Sequence, residues 1–310
     1  MDALPQLAGD RLFITDGGLE TTLIFHNDVD LPCFAAFRLL GEERGARLFH
    51  EYFDGYLATA EEYDTGMVLD TVTWRANPDW GQRLGYEPDE LYALNRRSVI
   101  LARDIAARHE SVQVVINGSM GPRGDGYAPG SMMSAEEAED YHWVQTAALA
   151  EAGVDMVTAL TIPYVEEGVG MVRAAQDLGV PIALSFTVET DGRLPSGQPL
   201  REAIEQVDEE TTVGPAYFMV NCAHPTHFAD TLADEGPWLE RICGIRANAS
   251  TQSHAELDEA DELDDGDPVE LGADYQRLRM LLPNLTVVGG CCGTDRRHVA
   301  EICAAVGVAA

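Results

Sequence analysis

The chain has 310 residues, 45% hydrophobic and 24% charged, enough apolar material for a large core and within the size of one α/β barrel. Its 53 acidic residues stand against 20 basic ones, every one of them arginine, for a net charge of −33. A surface of that sign repels phosphate backbones and anionic lipid, which excludes nucleic-acid and membrane partners, and no apolar run approaches the roughly 18 residues that span a bilayer. The same excess suits concentrated, halophilic surroundings, because the Debye length falls to roughly 3 Å at 1 M salt and self-repulsion is screened. The opening MDALPQLAGDRLFITDGG has neither the basic nor the apolar region of a signal peptide, so a cytoplasmic location is expected, where six cysteines do not form a disulfide framework.

Short β-branched runs alternate with stretches of helical spacing. RLFITD from Arg11 predicts a first strand, followed by a helix over 42–63. GMVLDTV from Gly66 precedes a helix over 89–109, and VQVVING from Val112 precedes one over 134–153, where Ser134 and Glu137 form a capping box. VDMVTAL from Val154 is followed by a helix over 165–179, then by PIALSFTV from Pro181. AYFMVNC from Ala216 leads into a short helix over 225–235, and RICGIRA from Arg241 and LTVVGGC from Leu285 complete the set. Eight buried parallel strands alternating with helices predict a (β/α)8 TIM barrel, one domain over 1–310. The acidic tract at about 254–272, HAELDEADELDDGDPVELG, reads as a solvated loop after the seventh strand.

The working face of such a barrel lies at the carboxyl ends of its strands. There the chain places DGG, NGSMGPRGD, NCAHP, NAS and GGCCG. Cys222 ends the sixth strand and Cys291 with Cys292 end the eighth, so three thiols converge on one rim. Adjacent strand residues point to opposite faces, so the pair serves one metal only if the backbone turns sharply, a freedom that Gly289, Gly290 and Gly293 offer. Three thiolates and an open fourth position describe a catalytic zinc site. A strained vicinal disulfide, or inert buried thiols, are the alternatives. Cys33, Cys243 and Cys303 lack such company and read as core residues or bystanders. His142 lies within a helix and reads as structural, and His224 is not needed as a ligand.

DGGLETTL, NGSMGPRGDGYAPGS, YHWVQTAALAEAGVDMV, SFTVETDGRLPSGQPL, NCAHP and GGCCGT together resemble the homocysteine S-methyltransferase family over nearly the whole chain. The resemblance implies a zinc-dependent barrel enzyme with Cys222, Cys291 and Cys292 as metal ligands. It further implies methyl transfer from a small onium donor (S-methylmethionine, S-adenosylmethionine or betaine) to a thiol, homocysteine giving methionine. Asp16, Gly17 and Gly18 would hold the amino-acid end of the acceptor, with a tight turn as the alternative role. Asn221 and Asn248 match family asparagines near the metal, which orient a ligand or cap a strand end. Trp74 is the nearest aromatic face for a cationic donor, if it is not simply core.

Three departures stand out. Leu160, in TALTIP, occupies the place of a family glutamate that meets the acceptor's ammonium; Glu20 replaces a small residue; and the second strand ends in DTVTWRAN. Glu20 or Asp70 can replace the missing carboxylate, or the acceptor is a different thiol. Rival readings are another zinc enzyme acting on sulfur compounds and a non-enzymatic zinc or redox sensor. The charge reading makes its own prediction: the melting temperature rises steeply with KCl, and a value flat from dilute buffer to molar salt refutes salt adaptation.

Overall fold

Eight strands form where the β-branched runs stand, in a computed structural model that describes residues 4–9, 11–258, 260 and 262–307. β1 (Phe13–Ile14) is followed by α1 (Leu19–Thr21), which runs on as a π-helical turn over Thr22–His26, and by α2 (Glu43–Glu62). β2 (Gly66–Asp70) leads through α3 (Pro78–Arg83) to α4 (Pro88–Ala106), and β3 (Val114–Met120) to α5 (Ala135–Ala152). β4 (Met156–Ile162) leads to α6 (Val165–Asp177) and β5 (Ile182–Phe186) to α7 (Leu200–Glu210). β6 (Tyr217–Asn221) precedes α8 (Pro225–Phe228), β7 (Ile242–Ala247) precedes α9 (His254–Asp258) and α10 (Pro268–Leu281), and β8 (Val287–Gly290) precedes α11 (Arg296–Val306).

All neighbouring strands pair in parallel, and β1 closes on β8 through Phe13↔Val287 and Ile14↔Val288, giving the expected TIM barrel. Ser134 and Glu137 cap α5 reciprocally, as expected. The acidic tract departs from the sequence reading. It is not a loop throughout: it contains α9 and the first turn of α10, because Asp267 caps the amides of Val269 and Glu270 and Pro268 follows as the first helical residue. Among the described residues no helix is long and apolar enough to cross a membrane.

The barrel interior is layered. Its lower part is apolar, with Phe13, Val68, Val115, Met156, Tyr217 and Val287 packed together, and Gln6 sealing it through bonds to Met156 Sδ (3.0 Å) and Tyr217 Oη (3.4 Å). Above that layer the inward residues turn polar and satisfy one another. Asn117 donates to Asp70 (2.6 Å) and accepts from Thr158 (2.9 Å), while Ser185 donates to Asn221 (2.6 Å). Such groups survive burial because each finds a partner.

One side chain from the outer layer pins the ends of β7 and β8. Tyr275 of α10 is fully buried, and its hydroxyl accepts from the Ala247 amide (2.9 Å) and lies 2.5 Å from the Gly289 carbonyl. Tyr275→Phe strips both groups of a partner and is expected to lower unfolding stability by about 1–3 kcal/mol in urea titrations. An unchanged midpoint would show that these strand ends do not depend on the hydroxyl.

Candidate metal centre and ligand cavity

Cys222 follows β6 directly, and Cys291 and Cys292 follow β8. Their sulfur atoms all lie within 4.8 Å of one another, the convergence expected from the sequence. β7 stands between the two strands and fixes both cysteines: the Arg246 carbonyl accepts the Cys222 amide (3.0 Å), and the Ala247 carbonyl accepts the Cys291 amide (2.8 Å). Cys222 itself has φ 55°, a left-handed kink that lifts its side chain off the strand. The turn after β8 is closed by Thr294, whose amide and hydroxyl bond the Cys291 carbonyl at 3.1 and 2.7 Å. Of the three glycines expected to supply freedom here, only Gly293 does so, with φ +78°. Gly289 and Gly290 are strand residues of β8, small because Thr15 and Thr294 press against them.

The Cys222 and Cys291 sulfurs are in disulfide contact, with their Cα atoms 5.4 Å apart. This differs from the expectation of unpaired thiols, and the pair is not the vicinal one. The reason is proximity: three sulfurs gathered closely enough to share a cation are also close enough for two of them to bond. Three soft donors from two strand ends, with Asn221 Nδ2 3.9 Å from the Cys291 sulfur and the Thr161 hydroxyl 3.7 Å from that of Cys222, are a donor set that fits zinc once the cysteines are reduced.

Beside the sulfurs lies a charge cluster that the sequence did not reveal. Arg246 of β7 is buried and pairs with Asp16 (2.5 Å) and Asp70, while its Nε donates to the Gly290 carbonyl (3.2 Å). Burial works against its charge, but Asp70 and Asp16 more than offset this and raise its pKa. Burial pushes Asp16 up to about 6, with Arg246 opposing and Tyr52 donating to it at 3.1 Å.

The homocysteine S-methyltransferase family model matches residues 13–306. The chain belongs to that family. It is 24% identical to homocysteine S-methyltransferase 2 of Zea mays, an alignment covering 95% of this chain and 89% of that one. It is also 22% identical to selenocysteine Se-methyltransferase of Brassica oleracea var. italica, over 93% and 87%. In fold it is similar to the homocysteine methyltransferase MmuM from Escherichia coli. The metallated form gives a TM-score of 0.73 at 19% identity over 95% of this chain and 96% of that one; the oxidised form gives 0.75 at 18% over 97% and 99%. The chain is thus a homocysteine S-methyltransferase-like enzyme, of a family of zinc-type thiol methyltransferases.

In this homocysteine S-methyltransferase-like chain the sulfurs open into a cavity of about 350 Å³, whose wall includes Glu20, Leu160, Asn248, Leu257 and Leu263. The last two belong to the acidic tract, which therefore meets the cavity on one side while residues such as Glu256 and Asp267 stand in solvent as expected. Gly17 and Gly18 pack against the cysteine turn; a Cβ on Gly18 would come 2.8 Å from the Cys291 carbonyl. Asn221 is a bracket, accepting from the Thr161 amide (2.8 Å) and donating to its hydroxyl (2.8 Å). Asn248 donates to the Cys222 carbonyl (3.1 Å), and its buried Oδ1 has no partner among the described residues. Trp74 is not free to face a cation on both sides, because the Arg75 guanidinium lies 4.0 Å from its ring centroid. His142 is buried against Glu167 (2.9 Å), and His224 caps α8, consistent with structural roles. Burial raises the thiols of Cys243 to about 11 and Cys303 to about 12, which makes them inert, while Cys33 is partly exposed.

Leu160 indeed presents an apolar wall, and Asp70 is committed to Arg246 and Asn117. Glu20, on the first turn of α1, is the carboxylate among the three departures that has no cationic partner in ion-pair contact. Burial raises its pKa from 4.5 to about 7. Below about 4.5 the carboxyl is protonated folded or unfolded; between 4.5 and 7 only the folded chain keeps the proton, so stability falls as pH rises through that window. Glu20→Gln is therefore expected to be more stable than the parent at pH above about 7 and equal to it below about 4.5, by urea midpoints. An equal difference at both ends would mean that ionisation is not the cause.

Proposed function

We propose that this enzyme transfers a methyl group from a small onium donor, S-methylmethionine, S-adenosylmethionine or betaine, to a thiol, with homocysteine as the acceptor and methionine as the product. The observation that carries the reading is the three-cysteine cluster opening into the cavity. Zinc bound by Cys222, Cys291 and Cys292 supplies the positive charge that lets a thiol ionise at neutral pH. In the transfer the acceptor sulfur forms the new bond to the methyl carbon while the donor's bond to that carbon breaks. The breaking pair of electrons leaves with a neutral thioether or amine, and the thiol proton passes to water. No general base is needed. The protein's remaining task is to hold two small molecules in line and apart from bulk solvent.

Each wall residue has a part in that task. Asn221 and Asn248 fix the backbone around Cys222, and the unpartnered Asn248 oxygen offers an acceptor to a ligand N–H. Gly17 and Gly18 let the chain before α1 approach the cysteine turn. Asp16, neutralised by Arg246, acts here by holding that guanidinium in place. Glu20 then meets the acceptor's ammonium, the role that Leu160 cannot take. A thiol lacking an ammonium group is the second reading, favoured by Leu160 and by the commitment of Asp16 and Asp70 to Arg246. Leu257 and Leu263 cover the cavity and exclude water.

Because the Cys222–Cys291 pair must be reduced before both can bind a cation, metal loading is expected only with reductant present. The reduced protein should take up about one zinc per chain, and Cys292→Ala should lose most of it. With methyl-labelled donors and homocysteine, label should appear in methionine. Zinc-loaded protein that moves label to no thiol from any of the three donors would refute the reading.

A further inference from the structure

Arg75 follows Trp74 on the loop after β2; it is 7% exposed and lines the cavity. Its guanidinium is clamped between two indoles, with Cζ 4.0 Å from the Trp74 ring centroid and 4.1 Å from that of Trp80, and Nη1 donates to the Gly124 carbonyl (2.9 Å). Its partners end there. Nε is buried with no acceptor, and among the described residues no carboxylate is in ion-pair contact with it. Asp125 and Glu20 lie near enough to favour its charge, but neither is in ion-pair contact with it, and the Asp125 Oδ1 is engaged by the amides of Tyr127 and Ala128.

The contrast with Arg246, which holds two carboxylates, is informative. A buried guanidinium with no carboxylate in direct contact carries a desolvation cost that an anionic ligand would offset. Its planar fork is suited to a carboxylate, and the two indoles hold it rigid in advance. We propose that Arg75 is the carboxylate-binding residue of this cavity, taking the carboxylate of an amino-acid-like substrate through the nitrogens the protein leaves unused. The inference rests on the thiol-methyltransferase reading only for the identity of that substrate, since homocysteine and the onium donors named above all carry a carboxylate. It also gives the Trp74 ring its purpose, which is to stack the guanidinium.

The test is equilibrium binding to the reduced protein, with and without zinc, read by calorimetry. Two pairs of probes separate the sources: homocysteine against its decarboxylated analogue, and S-methylmethionine against its decarboxylated analogue. The parent protein should favour the carboxylated member of at least one pair by about 10- to 100-fold, as a charge-assisted contact would. The pair that shows it identifies the source. Arg75→Gln should abolish most of that preference, and Arg75→Lys should keep part of it. Circular dichroism checks that each variant is folded; if Arg75→Gln is not, the parent's preference and Arg75→Lys decide. Equal binding within both pairs by the parent protein, or a folded Arg75→Gln that keeps the preference, would overturn the proposal. A carboxylate preference without any methyl transfer would leave it standing and remove the transfer reading alone.

Discussion

The pairing of one buried arginine with two buried carboxylates governs the upper end of this barrel. Arg246 comes from β7, Asp70 ends β2 and Asp16 follows β1, so the cluster ties together strands on the two sides of β8, where the barrel closes. A buried ion pair gives little net stability against its desolvation, but removing one partner leaves an uncompensated charge. The geometry is therefore locked. The consequence for chemistry is direct, because the Arg246 backbone carbonyl holds the Cys222 amide and its Nε holds the Gly290 carbonyl just before Cys291. One residue thus sets the position of both cysteine-bearing strand ends and also holds two carboxylates of the cavity wall in ion pairs.

The strands were legible because burial on both faces selects continuous β-branched runs, and the composition of this chain confines those runs to the barrel. The cysteine cluster was legible for a similar reason: thiols at the ends of two strands separated by one neighbour have few other places to point. Of the longer helices, α7, α10 and α11 were not read. In α7 the buried Leu200, Ala203, Ile204 and Val207 follow helical spacing, but the stretch is short, at 11 residues, and polar between them. In α10 the start lies inside the acidic tract, and α11 follows directly on the cysteine turn, which drew the reading elsewhere.

What sequence alone could not supply was pairing at long range. An arginine in a strand carries no mark of the two carboxylates, 230 and 176 residues away in the chain, that make it tolerable. Trp74 shows that local pairing also escapes the sequence: the Arg75 guanidinium of the next residue lies over its ring. Likewise the closeness of three sulfurs could be foreseen, but not which two would bond, since that depends on the left-handed kink at Cys222 and on the turn beyond β8.

Glu262 and Asp264 bring part of the acidic tract's charge into the cavity wall. An entrance of negative sign steers cations inward by long-range attraction and slows anions, an effect on encounter rate more than on final affinity. Onium donors are cations; an ionised thiol without an ammonium is not. Added electrolyte shortens the reach of that field to a few ångströms, roughly 3 Å at 1 M. The ionic medium that best relieves the repulsion among 53 acids is thus the one in which this wall would attract any cationic ligand least, leaving capture to contacts made after arrival.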